Sequence, residues 1–116
     1  MRTLENAWER AKILRNWENW VSRIRVATEK LIGENLLGIY VFGSLAREEA
    51  VASSDADILI VVKQAPVLLI ERSKIKMRIV EEAGLPLIHP FEIHLVDEKE
   101  AETYFRHIRS EFIKIR

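Results

Sequence analysis

Two short motifs decide the fold of this 116-residue chain: residues 43–47 read Gly-Ser-Leu-Ala-Arg, and residues 55–57 read Asp-Ala-Asp. The first motif ends the apolar run 36–42, and the second begins the apolar run 58–62. Both runs are rich in residues that favour β-structure, and they predict buried strands over 36–42 and 57–62. The chain therefore has a glycine turn at the end of one strand and two acids at the start of the next.

The two acids predict a metal site. Alternate residues of a strand project from the same face, so we expect Asp55 and Asp57 to lie side by side. Two carboxylates about 4 Å apart repel by about 4 kcal/mol at an effective dielectric constant of about 20. A divalent cation removes this repulsion, and oxygen ligands suit Mg²⁺, which also binds substrate phosphates. We therefore expect Mg²⁺ at Asp55 and Asp57, with Mn²⁺ as a substitute.

The turn between the strands has the composition of a phosphate site. Gly43 allows the backbone to approach a ligand closely, and backbone N–H groups beside the Ser44 hydroxyl are suited to hold phosphate oxygens. Arg47 adds a fixed cation for a polyphosphate. A Gly-Ser turn that leads into a helix is also common without any ligand. Its combination with the paired acids favours nucleotide binding by Gly43, Ser44 and Arg47.

The N-terminal segment 4–31 has apolar residues at helical spacing. One unbroken helix would be about 40 Å long, although a chain of this size has a radius of gyration of about 13 Å. Either the helix breaks near residues 16–19, or it packs on another subunit as a homodimer. Trp8, Ile13 and Trp20 lie off the main apolar stripe, which favours a partner unless these residues cap the edges of the core.

The C-terminal half predicts a helix, a strand and a second helix. Pro66 suits the start of the first helix and Gly84 its end. The strand 91–96 alternates, with Glu92, His94 and Val96 on one face and the apolar Phe91, Ile93 and Leu95 on the other. A capping pair, Asp97 and Glu100, predicts the last helix, whose apolar stripe continues through Phe112 and Ile115.

These elements predict an α/β (α+β) fold with a small mixed sheet of three or more strands packed against helices. The chain is interpreted as a single domain, 1–116, with an N-terminal helical segment (1–33) and a catalytic core (36–116). His89 and His107 have no second ligand at a usable spacing, so both are expected at the surface.

Composition excludes several classes of function. The formal net charge is zero, which disfavours nucleic acid as the main partner. The chain has no cysteine, which rules out disulfides, thiolate catalysis and cysteine-bound zinc, and fits a cytoplasmic protein. It has neither an apolar run long enough to span a bilayer nor the pattern of a signal peptide, so no membrane association is expected. Abundant Glu, Lys and Arg with scarce Gln are typical of a thermophilic source.

Residues 43–61 resemble the signature of the minimal nucleotidyltransferases of the DNA polymerase β superfamily. That signature is Gly-Ser, a spacer, Asp-x-Asp, and a third acidic residue on a later strand. The resemblance implies the nucleotidyltransferase fold, an archaeal or thermophilic source, and binding of a nucleoside triphosphate, with ATP preferred. It also implies that Ser44 contacts phosphate and that Asp55 and Asp57 hold the metal ions.

The chain departs from this family pattern at two positions. Glu48 stands where the family usually has glycine, and His94 occupies the position of the third acid on the strand 91–96. Glu92, two residues earlier on the same face, could supply the missing oxygen as a base or third ligand. We favour Glu92 for that role, with His94 beside it. The expected catalytic residues are Asp55, Asp57, Glu92 and His94, and the expected metal ligands are Asp55, Asp57 and Glu92.

The resemblance implies transfer of a nucleoside monophosphate, AMP from ATP, to an acceptor hydroxyl, with pyrophosphate leaving. Small members of the family pair with HEPN-type RNase proteins in toxin–antitoxin systems, and they neutralise the partner by adenylylating or binding it. The alternative is a catalytically silent module of the same fold that only binds and neutralises a protein. Glu48 and His94 favour that alternative.

Overall fold

The chain folds as a four-stranded mixed sheet with helices on both faces. A computed structural model describes residues 2–43, 46, 56–109 and 111–116. In chain order the elements are helices α1 (Arg2–Arg15) and α2 (Trp17–Ile32), strands β1 (Leu36–Phe42) and β2 (Ala56–Val62), helix α3 (Leu69–Ala83), strand β3 (Phe91–Asp97), helix α4 (Glu98–Ile108) and strand β4 (Phe112–Lys114), with a short 3₁₀ helix (Gly33–Asn35) before β1. This architecture confirms the predicted α/β class.

The strand order places three strand ends together. The order is β3-β2-β1-β4, in which β2 runs antiparallel to β1 and parallel to β3, and β1 runs antiparallel to β4. Helix α3 makes the crossover that a parallel pair requires. Phe42 at the end of β1 pairs with Asp57 of β2, and Asp57 in turn pairs with Glu92 of β3. The glycine turn and the acidic residues therefore meet at one edge of the sheet.

The two faces of the sheet have different cores. Ile58, Ile60 and Val62 of β2 pack with residues of α2 and α3 in the larger core, and all three are almost completely buried. Leu59 and Val61 project to the opposite face and pack with Val96 and with residues of α4. This alternation anchors β2 on both sides and fixes its register, because a shift by one residue would exchange the two sets.

The N-terminal helical segment breaks at Asn16, where α1 ends and α2 begins. The first of the two predicted alternatives is therefore correct. Ile13 is buried in the core and Trp20 packs against it, whereas Trp8 is 60% exposed. Ile13 and Trp20 thus serve the core, and Trp8 remains on the surface.

The prediction of a last helix that continues through Ile115 is wrong. Helix α4 ends at Ile108, and Arg109 adopts a positive φ of 58°, which turns the chain back toward the sheet. Residues 112–114 then pair with β1 as β4. The ring of Phe112 packs edge-to-face on Tyr40 and Phe105, so its apolar side chain serves a strand contact instead of a helical stripe.

Three further predicted helix boundaries concern the start and end of α3 and the start of α4. Helix α3 begins at Leu69, three residues later than Pro66 would place it, since Leu68 is extended and the Pro66 carbonyl accepts a hydrogen bond from Arg72 Nε. Its predicted end is confirmed, with Gly84 in the left-handed conformation (φ 72°). The capping box of Asp97 and Glu100 is also confirmed.

Every helix in the part of the chain that the structure describes is too short or too polar to cross a lipid bilayer.

Candidate functional site

Three ionisable side chains from the parallel strands converge beside α4. In the register of β2 and β3, Asp57 lies opposite Glu92 and Leu59 lies opposite His94. Because alternate residues share a face, Asp57, Glu92 and His94 project to the same side of the sheet. One ligand atom from each residue lies within 4.8 Å of the others. We call these three residues the Asp57–Glu92–His94 cluster.

Hydrogen bonds connect this cluster to α4. His94 Nε2 lies 3.2 Å from Asp57 Oδ1, and His94 Nδ1 lies 3.3 Å from the Tyr104 hydroxyl. The side chains of His94 and Asp57 are 21% and 24% exposed, and Glu92 is exposed. The cluster is therefore shielded on the side of α4 and still accessible to a ligand from solvent.

Gly43 contacts the cluster from the end of β1. Its φ of 76° is a conformation that side chains with a Cβ rarely adopt. A Cβ at this position would lie 2.6 Å from Asp57 Oδ2, which is closer than van der Waals contact allows. Glycine is thus required both by the backbone conformation and by the approach of the Asp57 carboxylate. The turn after β1 lies directly against that carboxylate.

The hydroxyl of Tyr104 remains protonated near neutral pH. Burial raises the pKa of Tyr104 above its ordinary value of 10.0, and the negative charges of Glu100, Glu92 and Asp57 raise it further. A protonated hydroxyl both donates and accepts hydrogen bonds. Tyr104 can therefore support His94 with the imidazole proton on either ring nitrogen.

A cleft of about 370 Å³ opens onto His94 and Tyr104. Its volume is within the range of small-molecule sites, roughly 300–1,000 Å³. Arg72 lines this cleft, with Nη1 3.1 Å from the Leu95 carbonyl and 3.0 Å from Glu100 Oε2. This guanidinium joins α3 to β3 and α4. The remaining residues that line the cleft are Leu69, Ser73, Lys76 and Val96.

A larger groove lies on the other face of β3, away from the cluster. Its volume is about 540 Å³, and most of the side chains that line it are apolar. His89 lies there as well, and its Nδ1 accepts a hydrogen bond from the Phe91 N–H. His89, expected at the surface, is partly buried in this groove, whereas His107 is exposed as expected. The apolar lining residues are Met77, Val80, Leu85, Pro86, Leu87, Phe91 and Ile93.

The structure brings together four of the residues selected from the sequence: Gly43, Asp57, Glu92 and His94. The other three, Ser44, Arg47 and Asp55, lie outside the described residues, as does Glu48. Tyr104, on the predicted last helix, was not among the residues selected from the sequence. The available signal was the hydroxyl of that residue, because a partly buried tyrosine usually finds a hydrogen-bond partner.

The chain belongs to the family described as "Polymerase beta, Nucleotidyltransferase", whose model matches residues 26–113, more than half of the chain. The predicted family is thereby confirmed. Over 50 residues the chain is also 44% identical to the Methanocaldococcus jannaschii protein named "Putative protein adenylyltransferase MJ1305". This match covers 43% of the chain and 34% of that protein, so the similar segment spans about a third of the relative.

Solved structures support the fold. A crystal structure of a "putative nucleotidyltransferase" from Sulfolobus solfataricus superposes with a TM-score of 0.51 at 21% identity, and the match covers 84% of this chain and 82% of that one. A second crystal structure with a similar description has a TM-score of 0.55 at 23% identity and covers 83% of this chain and 97% of that one. At this level of identity the likeness concerns the fold.

The cluster fits a divalent cation. Ligand atoms bound to one ion at about 2.1 Å lie about 3–4 Å from each other. The three ligand atoms of Asp57, Glu92 and His94 lie within 4.8 Å of one another, so small side-chain movements would close them on an ion. Two carboxylates and one imidazole also form a chemically suitable set of ligands. The residues present thus match the divalent-metal chemistry of nucleotidyltransferases.

Proposed function

We propose that the chain is a nucleotidyltransferase that depends on a divalent cation and transfers AMP from ATP to an acceptor hydroxyl, with release of pyrophosphate. One observation carries the proposal: the Asp57 carboxylate lies against the Gly43 turn and within ligand distance of Glu92 and His94. Mg²⁺ or Mn²⁺ bound there would neutralise phosphate charge and act as a Lewis acid on the oxygens of the reacting phosphoryl group.

The residues of the site have distinct proposed roles. Asp57 holds the cation, and Asp55 completes the pair of acids. Glu92 serves as a further ligand or as the base that accepts the proton of the acceptor hydroxyl. The absence of a side chain at Gly43 leaves room for phosphate oxygens beside Asp57. Ser44 and Arg47 bind the phosphates, as the family's motif implies.

The acceptor is proposed to be a hydroxyl group on another protein. The name of the Methanocaldococcus jannaschii relative supports a protein acceptor, and the cleft at His94 and Tyr104 offers a route to the cluster. The family resemblance suggests a HEPN-type partner in a cytoplasmic toxin–antitoxin system. The exposure of Trp8 on α1 supports a homodimer formed through the N-terminal helix.

Transfer of radiolabel tests the enzymatic proposal. The purified chain is incubated with ATP labelled at the α-phosphate, Mg²⁺ or Mn²⁺, and the product of the neighbouring gene as acceptor. We expect label on the acceptor, and a loss on the order of a thousandfold in Asp57→Asn, because cation binding contributes several kcal/mol to the transition state.

Asp97→Asn is the matched control for that experiment. It makes the same chemical change at the far end of β3, and asparagine retains the helix cap of α4. We expect this variant to keep wild-type transfer. Absence of labelled acceptor with the wild-type chain, or equal transfer by wild type and Asp57→Asn, would contradict the proposed function.

A silent binding module is the second candidate function. The position of His94, 3.2 Å from Asp57 where the family carries a third acid, favours it. Inhibition of the partner by the wild-type chain and equally by Asp57→Asn, without label transfer, would support this candidate. Inhibition that requires both ATP and Asp57 would exclude it.

A further inference from the structure

We infer that the Asp57–Glu92–His94 cluster selects a first-row transition cation of the series Mn²⁺, Co²⁺ and Zn²⁺ over Mg²⁺, and that Tyr104 is the positioning residue for His94. The inference rests on the proposed function, since it specifies the cation of the same site. It concerns the consequence of an imidazole where the family pattern has a carboxylate.

The ligand chemistry is the first argument. Mg²⁺ prefers oxygen ligands in octahedral geometry and retains several waters. Imidazole suits zinc, iron, nickel and copper, and mixed nitrogen and oxygen sites bind divalent ions with affinities that rise from Mn²⁺ toward Zn²⁺. The cluster offers two carboxylates, Asp57 and Glu92, and one imidazole, His94. An imidazole at the position of the third acid gives the cluster a nitrogen ligand, which these transition ions accept more readily than Mg²⁺ does.

The orientation of His94 is the second argument. Its Nε2 atom faces Asp57 Oδ1 at 3.2 Å. With the proton on Nε2, the ring donates a hydrogen bond to that carboxylate. With the proton on Nδ1, the lone pair of Nε2 points toward the carboxylate, an arrangement that is favourable when a cation lies between the two atoms. The same ring position therefore suits both states: the metal-free cluster has the proton on Nε2, and the metal-loaded cluster has it on Nδ1.

Tyr104 lowers the free-energy cost of the change of tautomer in His94. Its hydroxyl lies 3.3 Å from His94 Nδ1 and can either donate to a bare nitrogen or accept from an N–H. A histidine that binds a metal usually donates its other ring N–H to an oxygen, which fixes the orientation of the ring. Tyr104 occupies the place of that oxygen. The hydroxyl keeps a hydrogen bond in both states.

Aromatic neighbours hold the imidazole in place. The ring of Phe42 lies 5.6 Å from that of His94, and the ring of Tyr104 lies 5.4 Å away. These contacts, together with the small exposure of His94, restrict rotation of the ring away from Asp57. The nitrogen ligand is thus positioned in advance, which reduces the entropic cost of binding an ion.

The other histidines provide a contrast within the described part of the chain. His89 accepts a backbone hydrogen bond at Nδ1 and faces the apolar groove. His107 lies exposed on α4, outside the cluster. His107 therefore offers a matched control for any loss of metal binding caused by substitution of His94.

Titration with Co²⁺ tests the inference without nucleotide. The full chain, free of any affinity tag, is titrated with Co²⁺ while its visible absorption is recorded, and Mg²⁺ is then added as a competitor. We expect wild type to bind Co²⁺ at least about tenfold more tightly than Mg²⁺. In His94→Asp we expect Co²⁺ affinity to fall by about tenfold or more and Mg²⁺ to displace Co²⁺ readily, whereas His107→Asp behaves as wild type.

Tyr104→Phe tests the positioning role. Removing the hydroxyl retains the aromatic ring, and we expect a loss of about 10-fold to 100-fold in Co²⁺ affinity with an unchanged fold. Nitrogen-15 NMR of the Zn²⁺-loaded chain is expected to show the His94 proton on Nδ1 in wild type. A wild-type Co²⁺ affinity in Tyr104→Phe, or a proton on His94 Nε2 in the loaded chain, would overturn the role of Tyr104.

The failure of this inference can be distinguished from the failure of the proposed function. Wild-type transfer of AMP together with Mg²⁺ binding as tight as that of Co²⁺ would overturn the inference and leave the function intact. A preference for Co²⁺ that disappears in His94→Asp would support the inference even if no acceptor is labelled. Equal Co²⁺ binding by wild type and His94→Asp would overturn it in either case.

Discussion

The two faces of β3 serve different purposes. Phe91, Ile93 and Leu95 are buried and belong to the larger core, whereas Glu92 and His94 project to the other side and meet Asp57. Adjacent residues of one strand thus provide stability in one direction and ionisable groups in the other. The difference implies that neighbouring substitutions on β3 should separate the free energy of unfolding from the binding of a cation.

The largest expected effect on stability is on the apolar face. Ile93 is only 7% exposed, and Ile93→Ala should reduce the free energy of unfolding by about 2–3 kcal/mol through lost burial and a cavity. The variant that still folds should bind Co²⁺ with wild-type affinity. Urea denaturation and metal titration measure the two quantities. A loss of Co²⁺ affinity together with the loss of stability in Ile93→Ala would mean that the two faces of β3 are coupled.

Gly43→Ala should combine effects on backbone and site. The positive φ at Gly43 makes alanine cost about 1–2 kcal/mol, and the added Cβ would displace the Asp57 carboxylate and weaken cation binding. Gly33→Ala is the control, because Gly33 also has a positive φ but nothing within 4 Å of an added Cβ. Both variants should lose stability, and only Gly43→Ala should lose Co²⁺ affinity. Equal affinity in the two would contradict the role of Gly43.

Glu92→Gln should raise the free energy of unfolding slightly, whereas Ile93→Ala and Gly43→Ala lower it. Removing one of two neighbouring carboxylates relieves repulsion with Asp57, which is worth a few tenths of a kcal/mol at an exposed position. The rise in melting temperature that a bound cation causes should become smaller, because that rise depends on affinity. Glu102→Gln, at an exposed position of α4, should keep the full rise. Thermal denaturation with and without Mn²⁺ distinguishes these outcomes.

The smallest effect concerns His89, on the groove side of β3. Burial lowers the pKa of His89 below its ordinary value of 6.5, and the nearby charge of Arg10 lowers it further. As the pH falls below 6.5, the unfolded chain gains a proton at His89 that the folded chain resists, so the free energy of unfolding decreases until the lowered pKa is passed.

His89→Asn isolates this contribution. The asparagine oxygen can accept the same Phe91 N–H but does not titrate. Between pH 7 and pH 5 the stability of this variant should fall less steeply than that of wild type, as measured by urea denaturation at each pH. His107→Asn should keep the wild-type slope, since His107 is exposed. An identical slope in all three chains would show that His89 does not contribute.

The sequence predicts the side of β3 that carries chemistry because alternation is a local property. Residues 91–96 alternate clearly, and the structure places Glu92 and His94 on the same face. The pairing of Asp57 with Glu92 is not local, since it depends on the crossover through α3 that makes β2 and β3 parallel. The family resemblance, and not the spacing, pointed to that neighbourhood.

Local sequence patterns do not predict two features of the structure, the end of α4 and the contact of Tyr104 with His94. Phe112 and Ile115 continue the helical spacing of α4, and the positive φ of Arg109 that ends this helix has no sequence signal of the kind that Gly84 provides for α3. The contact of Tyr104 with His94 depends on how α4 packs over the sheet. Both result from tertiary packing, which overrides local preference.

A crystal grown with Mn²⁺ and a non-hydrolysable ATP analogue tests the central claim most directly. The anomalous scattering of manganese locates the ion independently of the chain. We predict a manganese peak in contact with the Asp57 carboxylate and the triphosphate, next to Gly43. A nucleotide and its manganese bound elsewhere, with Asp57 still joined only to His94, would contradict the account.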